Sequence, residues 1–261
     1  MQTKNKPEEV ISKKGMGYPR KIPRTAVNEI FESIQGEGAL MGYATLFVRF
    51  QGCQVGCVFC DTKKSWKTKD KHLILSVELL EKIYSQVDKN TWICFTGGEP
   101  LEQLKSLMWL VDKLHNNEYK KLSIETCGVI GYDKNNAAQF PDQKEVYDMY
   151  NDDVFFSLSP KLFGALGKRF NYEELKKIIK FWTSLIDLHF RYQFKFVASC
   201  DEDFEILALV HGDFEMDCNM FLQIEASKLN DKVFIAKCFD FAKKHHKYRM
   251  VIQQHKVLNM Q

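Results

Sequence analysis

Short apolar runs alternate with longer amphipathic segments from residue 28 to the end of the chain. The short runs are rich in β-branched and aromatic residues, as buried strands are, and the longer segments repeat apolar residues at helical spacing. About seven strands are predicted: ATLFVRF, WICF, KLSIE, DVFFSLS, YQFKFV, NMFLQI and YRMVI. Strands that alternate with helices indicate an α/β fold with a parallel sheet and covering helices. Periodicity alone allows either an open doubly wound sheet or a curved, barrel-like one.

Unusual short sequences follow five of these strands directly. They are QGCQVGCVFCDT after LFVRF, TGGEP after WICF, ETCG after KLSI, SPK after VFFSL, and QIEA after NMFL. The carboxyl ends of parallel strands meet at one edge of a sheet, where α/β proteins place their binding sites. We therefore expect these five sequences to converge on one functional rim.

The chain of 261 residues is long enough for one substantial α/β domain, which we assign to residues 25–261. Residues 1–24 are rich in lysine and arginine and poor in apolar residues, so they predict a flexible basic arm. Residues 132–153 are longer and more polar than the other connections and predict a surface insertion.

Charge and cysteine usage narrow the possible functions. Lysine and arginine total 37 against 34 acidic residues, and a net charge of +3 is too small to indicate a nucleic-acid groove. No apolar run is long enough to predict a membrane span, and no apolar leader is evident. The eight cysteines are therefore expected to be reduced thiols in a cytoplasmic protein.

Three cysteines, Cys53, Cys57 and Cys60, lie within eight residues of one another. A structural zinc site uses four ligands, usually in two pairs, and no fourth cysteine or histidine lies nearby in the sequence. Three thiolates in one loop suit a 4Fe-4S cluster in which one iron lacks a protein ligand and can bind a small molecule. A zinc knuckle or core thiols remain the alternative interpretation.

The spacing C-x3-C-x2-C, with Phe59 before the last cysteine, resembles the signature of the radical S-adenosylmethionine (SAM) enzymes. The sequence TGGEP, from Thr96 to Pro100, resembles the GGEP motif of that superfamily, whose backbone meets the SAM amino group. The resemblance implies a partial, open TIM-like (β/α) barrel. It also implies that the free iron chelates SAM, which is cleaved to a 5′-deoxyadenosyl radical.

Further motifs resemble one family, the 7-carboxy-7-deazaguanine synthases of queuosine and 7-deazapurine biosynthesis. They are EIFESIQGEG, FVRFQGC, DT after the cysteines, ETCG, SPK, LQIEA and VIQQHKVLNM, and they span residues 29–260. The family contracts the ring of 6-carboxy-5,6,7,8-tetrahydropterin with loss of ammonia. The resemblance implies the same radical reaction here, with SAM regenerated at the end.

The resemblance also assigns site residues. Substrate contacts fall on Ile34, Gln35, Gly36, Glu37, Arg49 and Thr96. The arginine corresponds to the family's carboxylate ligand, for which a bidentate guanidinium is well suited. Thr62 corresponds to the ligand of a magnesium ion, Mg2+. The SAM contacts fall on Gly98, Ser159, Pro160, Lys161, Gln223, Ile224, Glu225 and Ala226.

Two positions depart from the family pattern. Cys127 stands where the family has a polar residue, and LQIEA, residues 222–226, replaces an LQPM-type run. His255 is either a site residue or a solvated histidine near the end of the chain. The role of Cys127 stays open.

The resemblance implies an electron donor such as flavodoxin or ferredoxin, and a homodimer. Two other functions remain possible from the sequence. A radical SAM activase would share the cysteines and GGEP, but it would not require IQGEG or the QQHK stretch. A non-catalytic zinc or RNA-binding module would need only the cysteine loop. Neither nucleic-acid binding nor membrane association is expected for the synthase.

Overall fold

The structure is a computed structural model that describes residues 21–150, 154–185, 191–216 and 218–260. The predicted basic arm, residues 1–24, lies almost wholly outside the described residues, and its last residue, Arg24, begins the first strand. The domain boundary at residue 25 therefore stays a prediction.

Eleven strands are described: β1 Arg24–Ile34, β2 Ala44–Phe50, β3 Leu73–Leu75, β4 Trp92–Gly97, β5 Leu122–Thr126, β6 Gly131–Tyr132, β7 Ala138–Gln139, β8 Phe155–Leu158, β9 Tyr192–Ala198, β10 Asn219–Ile224 and β11 Tyr248–Val251. Nine of them form one sheet in the order β11-β10-β9-β8-β5-β4-β2-β1-β3. The strands from β2 to β11 in that order are parallel, and they are the seven that the sequence predicts.

Helices connect and cover these strands. They are α1 Ser76–Gln86, α2 Leu104–Asn116, α3 Gln143–Tyr150, α4 Phe163–Leu166, α5 Tyr172–Thr183, α6 Asp201–Asp213, α7 Lys232–Lys244 and α8 Gln254–Val257. Helix α5 shows why they form: Asn171 caps its first turn by accepting from Glu173 N, and apolar residues at helical spacing bury one face. No helix in the described ranges combines the length and apolar character that a bilayer crossing requires.

Two features differ from the sequence-based expectation. Residues 132–153 are more than a surface insertion, because they contain β7 and α3, and Val146 and Met149 of α3 are fully buried. Strand β1 was not predicted, because its apolar residues do not alternate cleanly. It pairs antiparallel with β2, with Ile30 opposite Val48, and β3 extends the same edge.

The sheet is curved. The connection between β1 and β2 reaches across to β9, where Ala39 N donates to Gln193 Oε1 at 2.7 Å. Because β2 and β9 are separated by three strands, this contact requires the sheet to curl around its inner face. The described edges, β11 and β3, do not pair with each other. The architecture is therefore the partial, open barrel that the sequence motifs implied.

Alternation along the strands separates the two faces of this barrel. In β9, Phe194 and Phe196 are fully buried and their rings stack 5.8 Å apart, within the core that the helices cover. Gln193 and Lys195, which alternate with these two residues along the strand, point the other way, toward the interior of the barrel. The carboxyl ends of the strands therefore carry polar groups inward.

Candidate active site

A cavity of about 240 Å3 opens at the carboxyl ends of the parallel strands. Most of the residues that the motifs assign to a site line its wall: Ile34, Gln35, Glu37, Arg49, Cys53, Cys57, Cys60, Thr62, Thr96, Gly98, Ser159, Lys161, Gln223 and Glu225. The five sequences that follow strands therefore converge, as their topology predicts. Gly36, Pro160, Ile224 and Ala226 do not line it.

These four exceptions have local causes. Ile224 is fully buried in the core, because it follows Gln223 in β10 and faces the helices. Pro160 is buried between two residues that do face the cavity. One face of Gly36 is covered by His255, and Ala226 begins a short 3-10 turn after the strand.

The cysteine loop follows β2, and all three of its cysteines are half-buried free thiols on the cavity wall. Loop backbone groups are held from several sides. Arg169 donates through Nη1 to Val55 O at 2.7 Å and through Nη2 to Gly56 O at 2.6 Å. Gln54 N donates to Glu102 Oε1 at 2.6 Å. The loop between Cys53 and Cys57 is therefore fixed by partners outside it.

The GGEP motif packs directly against this loop. Gly98 N donates to Phe50 O, and Glu99 N donates to Gly52 O at 2.7 Å. A Cβ on Gly98 would lie 1.8 Å from Gly52 O, so no other residue fits there without moving the backbone. The glycine therefore allows two strand ends to meet beside the cysteines.

Glu99 anchors the same motif to β5. Its carboxylate is buried and accepts hydrogen bonds from Leu101 N, Thr126 Oγ1 and Cys127 N, at 3.0, 2.6 and 2.8 Å. Burial raises the pKa of Glu99, and the hydrogen bonds from Cys127 and Thr126 oppose that shift. The acidic residue of the motif therefore has a structural function here, because it joins two strand ends.

The donor set fits an iron–sulfur cluster better than a single metal ion. Among the described residues, no group of three His, Cys, Asp or Glu side chains is arranged to hold one metal ion. In a cubane, each cysteine binds a different iron, so three thiolates on one wall need not converge on a point. Trp66 Nε1 also donates to Cys60 Sγ at 3.2 Å, a contact typical of cluster ligands.

Positive charge lies close to the thiols. Burial raises the pKa of Cys57, and Lys161 and Arg169 oppose that rise. Burial would lower the pKa of Lys161, but Cys57, Cys127 and Glu99 raise it overall. Lys161 Nζ also donates to Ser159 Oγ at 3.2 Å. Lys161 is therefore a protonated cation on the cavity wall beside Cys57.

The IQGEG loop lies across the inner face of the barrel. Gln35 Nε2 donates to Glu125 Oε1 at 3.0 Å, and Thr96 Oγ1 donates to Glu125 Oε2 at 2.9 Å. Glu37 forms an ion pair with Lys195 and accepts from Gln253 Nε2 at 2.6 Å. Both carboxylates line the cavity, and a carboxylate oxygen can accept more than one hydrogen bond. The loop therefore presents acceptors in a fixed arrangement.

Among the described residues, Arg49 is held from one side. Its Nε donates to Glu29 Oε1 at 2.7 Å, and its guanidinium lies 5.2 Å from the ring centre of Phe31. Burial alone would raise the pKa of Glu29, but hydrogen bonds from Lys64 and Arg49 lower it overall. Within the described part of the chain, the two terminal guanidinium nitrogens have no hydrogen-bond partner. They are free to bind an anion.

The C-terminal segment completes the wall. Gln254 N donates to Gly36 O at 2.9 Å, and Lys256 pairs with Asp61 at 2.7 Å. His255 lies against Gly36. A Cβ added to Gly36 would lie 2.1 Å from Nδ1 of His255. Burial and Lys256 lower the pKa of His255, which favours a neutral imidazole. The segment therefore joins the IQGEG loop to the cysteine loop, and His255 lines the cavity.

Two residues at the site were not predicted from the sequence. Lys195 interrupts the otherwise apolar strand YQFKFV and lines the cavity. A charged residue in a buried parallel strand is the signal that could have identified it, since it must face a polar interior. Arg169 has no such signal, because its loop partners are distant in sequence.

Comparison with known proteins agrees with this geometry. Residues 34–157, which include all three cysteines, match the family described as a 4Fe-4S single cluster domain. The predicted 4Fe-4S cluster is confirmed by that match.

Several curated relatives carry the same name. The 7-carboxy-7-deazaguanine synthase of Thermoplasma acidophilum is 43% identical over 104 residues, which are 40% of this chain and 47% of the relative. The enzyme of that name from Synechocystis is 26% identical over 236 residues, 90% of this chain and 92% of the relative. The matches of higher identity thus span about half of each relative's length.

The fold is also that of a solved relative. The crystal structure of QueE from Escherichia coli superposes with a TM-score of 0.62 and 24% identity, over 89% of this chain and 95% of that one. This similarity confirms the predicted partial barrel. The chain is therefore similar in sequence to 7-carboxy-7-deazaguanine synthases and shares the fold of QueE, so the resemblance that its motifs predicted is confirmed.

Proposed function

We propose that the chain converts 6-carboxy-5,6,7,8-tetrahydropterin into 7-carboxy-7-deazaguanine by a radical ring contraction that releases ammonia. The observation that carries the proposal is the placement of the IQGEG loop, Arg49 and the three cysteines on one cavity wall. In this reaction a radical generated at the cluster attacks an anionic heterocycle. The cysteines that bind the cluster and the residues that bind the heterocycle must therefore line the same enclosed space.

Arg49 is the proposed ligand of the substrate carboxylate. Its terminal nitrogens form a fork that suits two parallel hydrogen bonds to a carboxylate, while Glu29 holds the opposite side of the guanidinium. Gln35, Glu37 and Glu125 supply amide and carboxylate groups for the amino and amide edge of the pterin. A neutral His255 would add one further hydrogen bond from the C-terminal side.

The SAM site is proposed between Gly98, the SPK segment and Gln223. Gln223 Oε1 is buried on the wall without a hydrogen-bond partner in the described residues, which indicates a ligand donor at that point. Lys161 contributes a nearby cation for an anionic group. When bound, the cluster and SAM together supply the radical that removes hydrogen from the substrate.

Thr62 is the proposed magnesium ligand. Its hydroxyl lies on the wall 3.7 Å from Cys60 Sγ, and Mg2+ prefers oxygen ligands with open positions for water and substrate. We place the enzyme in the cytoplasm, because thiolate ligands require a reducing compartment. Homodimerisation stays a prediction.

The test is anaerobic reconstitution of the cluster, followed by incubation with SAM, a reductant, Mg2+ and the carboxypterin. We expect 7-carboxy-7-deazaguanine, identified by mass spectrometry, to form without any added protein substrate. A glycyl-radical activase would cleave SAM but leave the carboxypterin unchanged. Zinc without iron or sulfide in the protein as purified would instead favour a structural module.

A further inference from the structure

The indole of Trp66 lies on the cavity wall against one of the three cysteines. Its Nε1 donates to Cys60 Sγ at 3.2 Å. In the described part of the chain, Cys60 is the one cysteine of the three whose sulfur accepts from a side-chain N–H. The sulfur of Cys53 accepts instead from the backbone N–H groups of Val55 and Gly56. Trp66 is therefore the side-chain N–H donor to this set of sulfur atoms.

The chain after the cysteines folds so that Trp66 returns to Cys60. A short 3-10 turn, Lys63–Ser65, reverses the backbone, and Trp66 N donates to Lys63 O at 3.2 Å. On the other side, Cys53 N donates to Trp66 O at 3.1 Å. The backbone of Trp66 is thus hydrogen-bonded both to the turn that precedes it and to the first cysteine of the loop.

Gln51 holds the same turn from within the protein. Its side chain is buried, and Nε2 donates to Lys64 O and to Lys67 O, each at 2.7 Å. Lys63 Nζ lies 5.9 Å from the ring centre of Trp66, within the range of a cation–π attraction. Because the residues on both sides of Trp66 are fixed, the indole N–H stays directed at the sulfur.

A hydrogen bond to a ligand sulfur acts on the reduction potential of an iron–sulfur cluster. One-electron reduction adds a negative charge that spreads over the sulfur atoms of the cluster and its thiolates. An N–H donor stabilises the reduced form more than the oxidised form, so hydrogen bonds to the sulfurs help to set the potential. Trp66 is half-buried, which limits competition from water for this bond.

We propose that Trp66 raises the reduction potential of the cluster by donating its indole N–H to Cys60 Sγ, an inference that rests on the cluster of the proposed function. In the reduction, one electron passes from an external one-electron donor to the cluster. No covalent bond forms or breaks, and Trp66 keeps its proton. Because it acts through Cys60, Trp66 is a positioning residue, and it increases the fraction of reduced cluster at a given donor potential.

Packing alone would not have this effect. A ring that only filled the space beside Cys60 would keep the loop in place, and a ring of similar shape without an N–H could replace it at the same potential. An indole on the cavity wall could also stack on bound SAM. The test therefore removes the N–H, keeps the ring, and measures the potential without SAM.

The experiment is a redox titration of the reconstituted full chain, followed by electron paramagnetic resonance, without SAM or substrate. Trp66→Phe keeps an aromatic ring and removes the donor. A second variant, Trp66→3-benzothienylalanine, keeps the shape of the indole and has sulfur in place of N–H. The matched control is Trp92→Phe, at a half-buried tryptophan that begins β4 and does not line the cavity.

We expect both variants of Trp66 to lower the equilibrium constant for one-electron reduction ~10-fold, which is a fall of ~59 mV in midpoint potential. Trp92→Phe should match wild type. Iron and sulfide content should be the same in all of these proteins, because each keeps the three cysteines.

The benzothienylalanine variant decides the outcome. A midpoint potential equal to that of wild type, or above it, would overturn the proposal. So would an equal fall in Trp92→Phe. If the benzothienylalanine variant binds no cluster, the hydrogen bond holds the cluster in place and does not tune it, which would also overturn the proposal.

These outcomes are separate from those of the proposed function. A protein that binds the cluster but makes no 7-carboxy-7-deazaguanine contradicts the synthase proposal and leaves the comparison of potentials intact. A protein that makes the product, but whose Trp66 variants keep the wild-type potential, contradicts only the function proposed for Trp66.

Discussion

Replacement of Arg49 by lysine tests how the cavity recognises a carboxylate. The arginine uses Nε for Glu29 and leaves two terminal nitrogens toward the cavity. A lysine keeps the charge but has one compact ammonium, which cannot serve Glu29 and a substrate carboxylate with the same geometry. We expect the loss of about one charge-assisted hydrogen bond, ~1.5–3 kcal/mol, which corresponds to a ~10- to 150-fold rise in KM.

The assay is steady-state turnover of the carboxypterin by the reconstituted variant. KM should rise much more than kcat falls, because the lost contact binds substrate and transition state alike. The matched control is Glu29→Gln, whose amide oxygen still accepts from Arg49 Nε and leaves the fork free. Its KM should stay within about threefold of wild type.

Two results would refute this reasoning. An unchanged KM in Arg49→Lys would show that the guanidinium does not bind the substrate. An equal rise in Glu29→Gln would show that the ion pair, and not the fork, determines binding. Absorbance of the cluster in both variants establishes that the loop after β2 remains intact.

Four further substitutions test other parts of the site. Cys57→Ala should abolish cluster binding, measured as iron and sulfide content, because two thiolates cannot replace three. Thr62→Ala should weaken the dependence of activity on Mg2+ concentration, because an oxygen ligand is lost. Arg169→Met should lower the thermal stability of the protein without its cluster by about 1–3 kcal/mol, since two carbonyls of the cysteine loop lose their partner. Glu102→Gln should gain stability relative to wild type as pH rises. The measurement is the melting temperature of the variant minus that of wild type, at pH 5.5 and at pH 8.

The sign of the last effect follows from burial. Burial raises the pKa of Glu102 to about 7, with a contribution from Glu99, so the folded state favours the protonated acid. The stability that protonation contributes is present below the ordinary glutamate pKa and is lost as pH rises through about 7. Glutamine does not titrate. If the difference in melting temperature between Glu102→Gln and wild type were the same at pH 5.5 and pH 8, this interpretation would be contradicted.

The other three have equally direct contradictions. If the Cys57→Ala protein keeps a full cluster, Cys57 is not a cluster ligand. If the activity of Thr62→Ala depends on Mg2+ as that of wild type does, Thr62 is not a magnesium ligand. Equal melting temperatures of wild type and Arg169→Met would show that the contacts to Val55 and Gly56 add nothing to the order of the loop.

The sequence predicts the parallel strands and the site-bearing edge well, because both depend on local signals. Apolar runs of strand length and glycine or cysteine motifs directly after them are visible without any long-range information. Strand β1 was missed because its pattern is irregular, and α3 because a polar segment hides two buried positions, Val146 and Met149.

The residues that the sequence missed are those whose partners are far away in the chain. Arg169 contacts carbonyl groups more than a hundred positions earlier. Lys195 pairs with Glu37 across the interior of the barrel, and Lys256 pairs with Asp61. Such pairings depend on the curvature of the sheet, which periodicity does not determine.

The account depends on a cluster held by Cys53, Cys57 and Cys60 with one iron open toward the cavity. The most direct test is electron nuclear double resonance of the reduced, reconstituted protein with SAM labelled with 15N at its amino group. The account predicts a 15N coupling that is replaced by a 14N coupling when unlabelled SAM is used. A reduced cluster that shows no coupling to labelled SAM would contradict it.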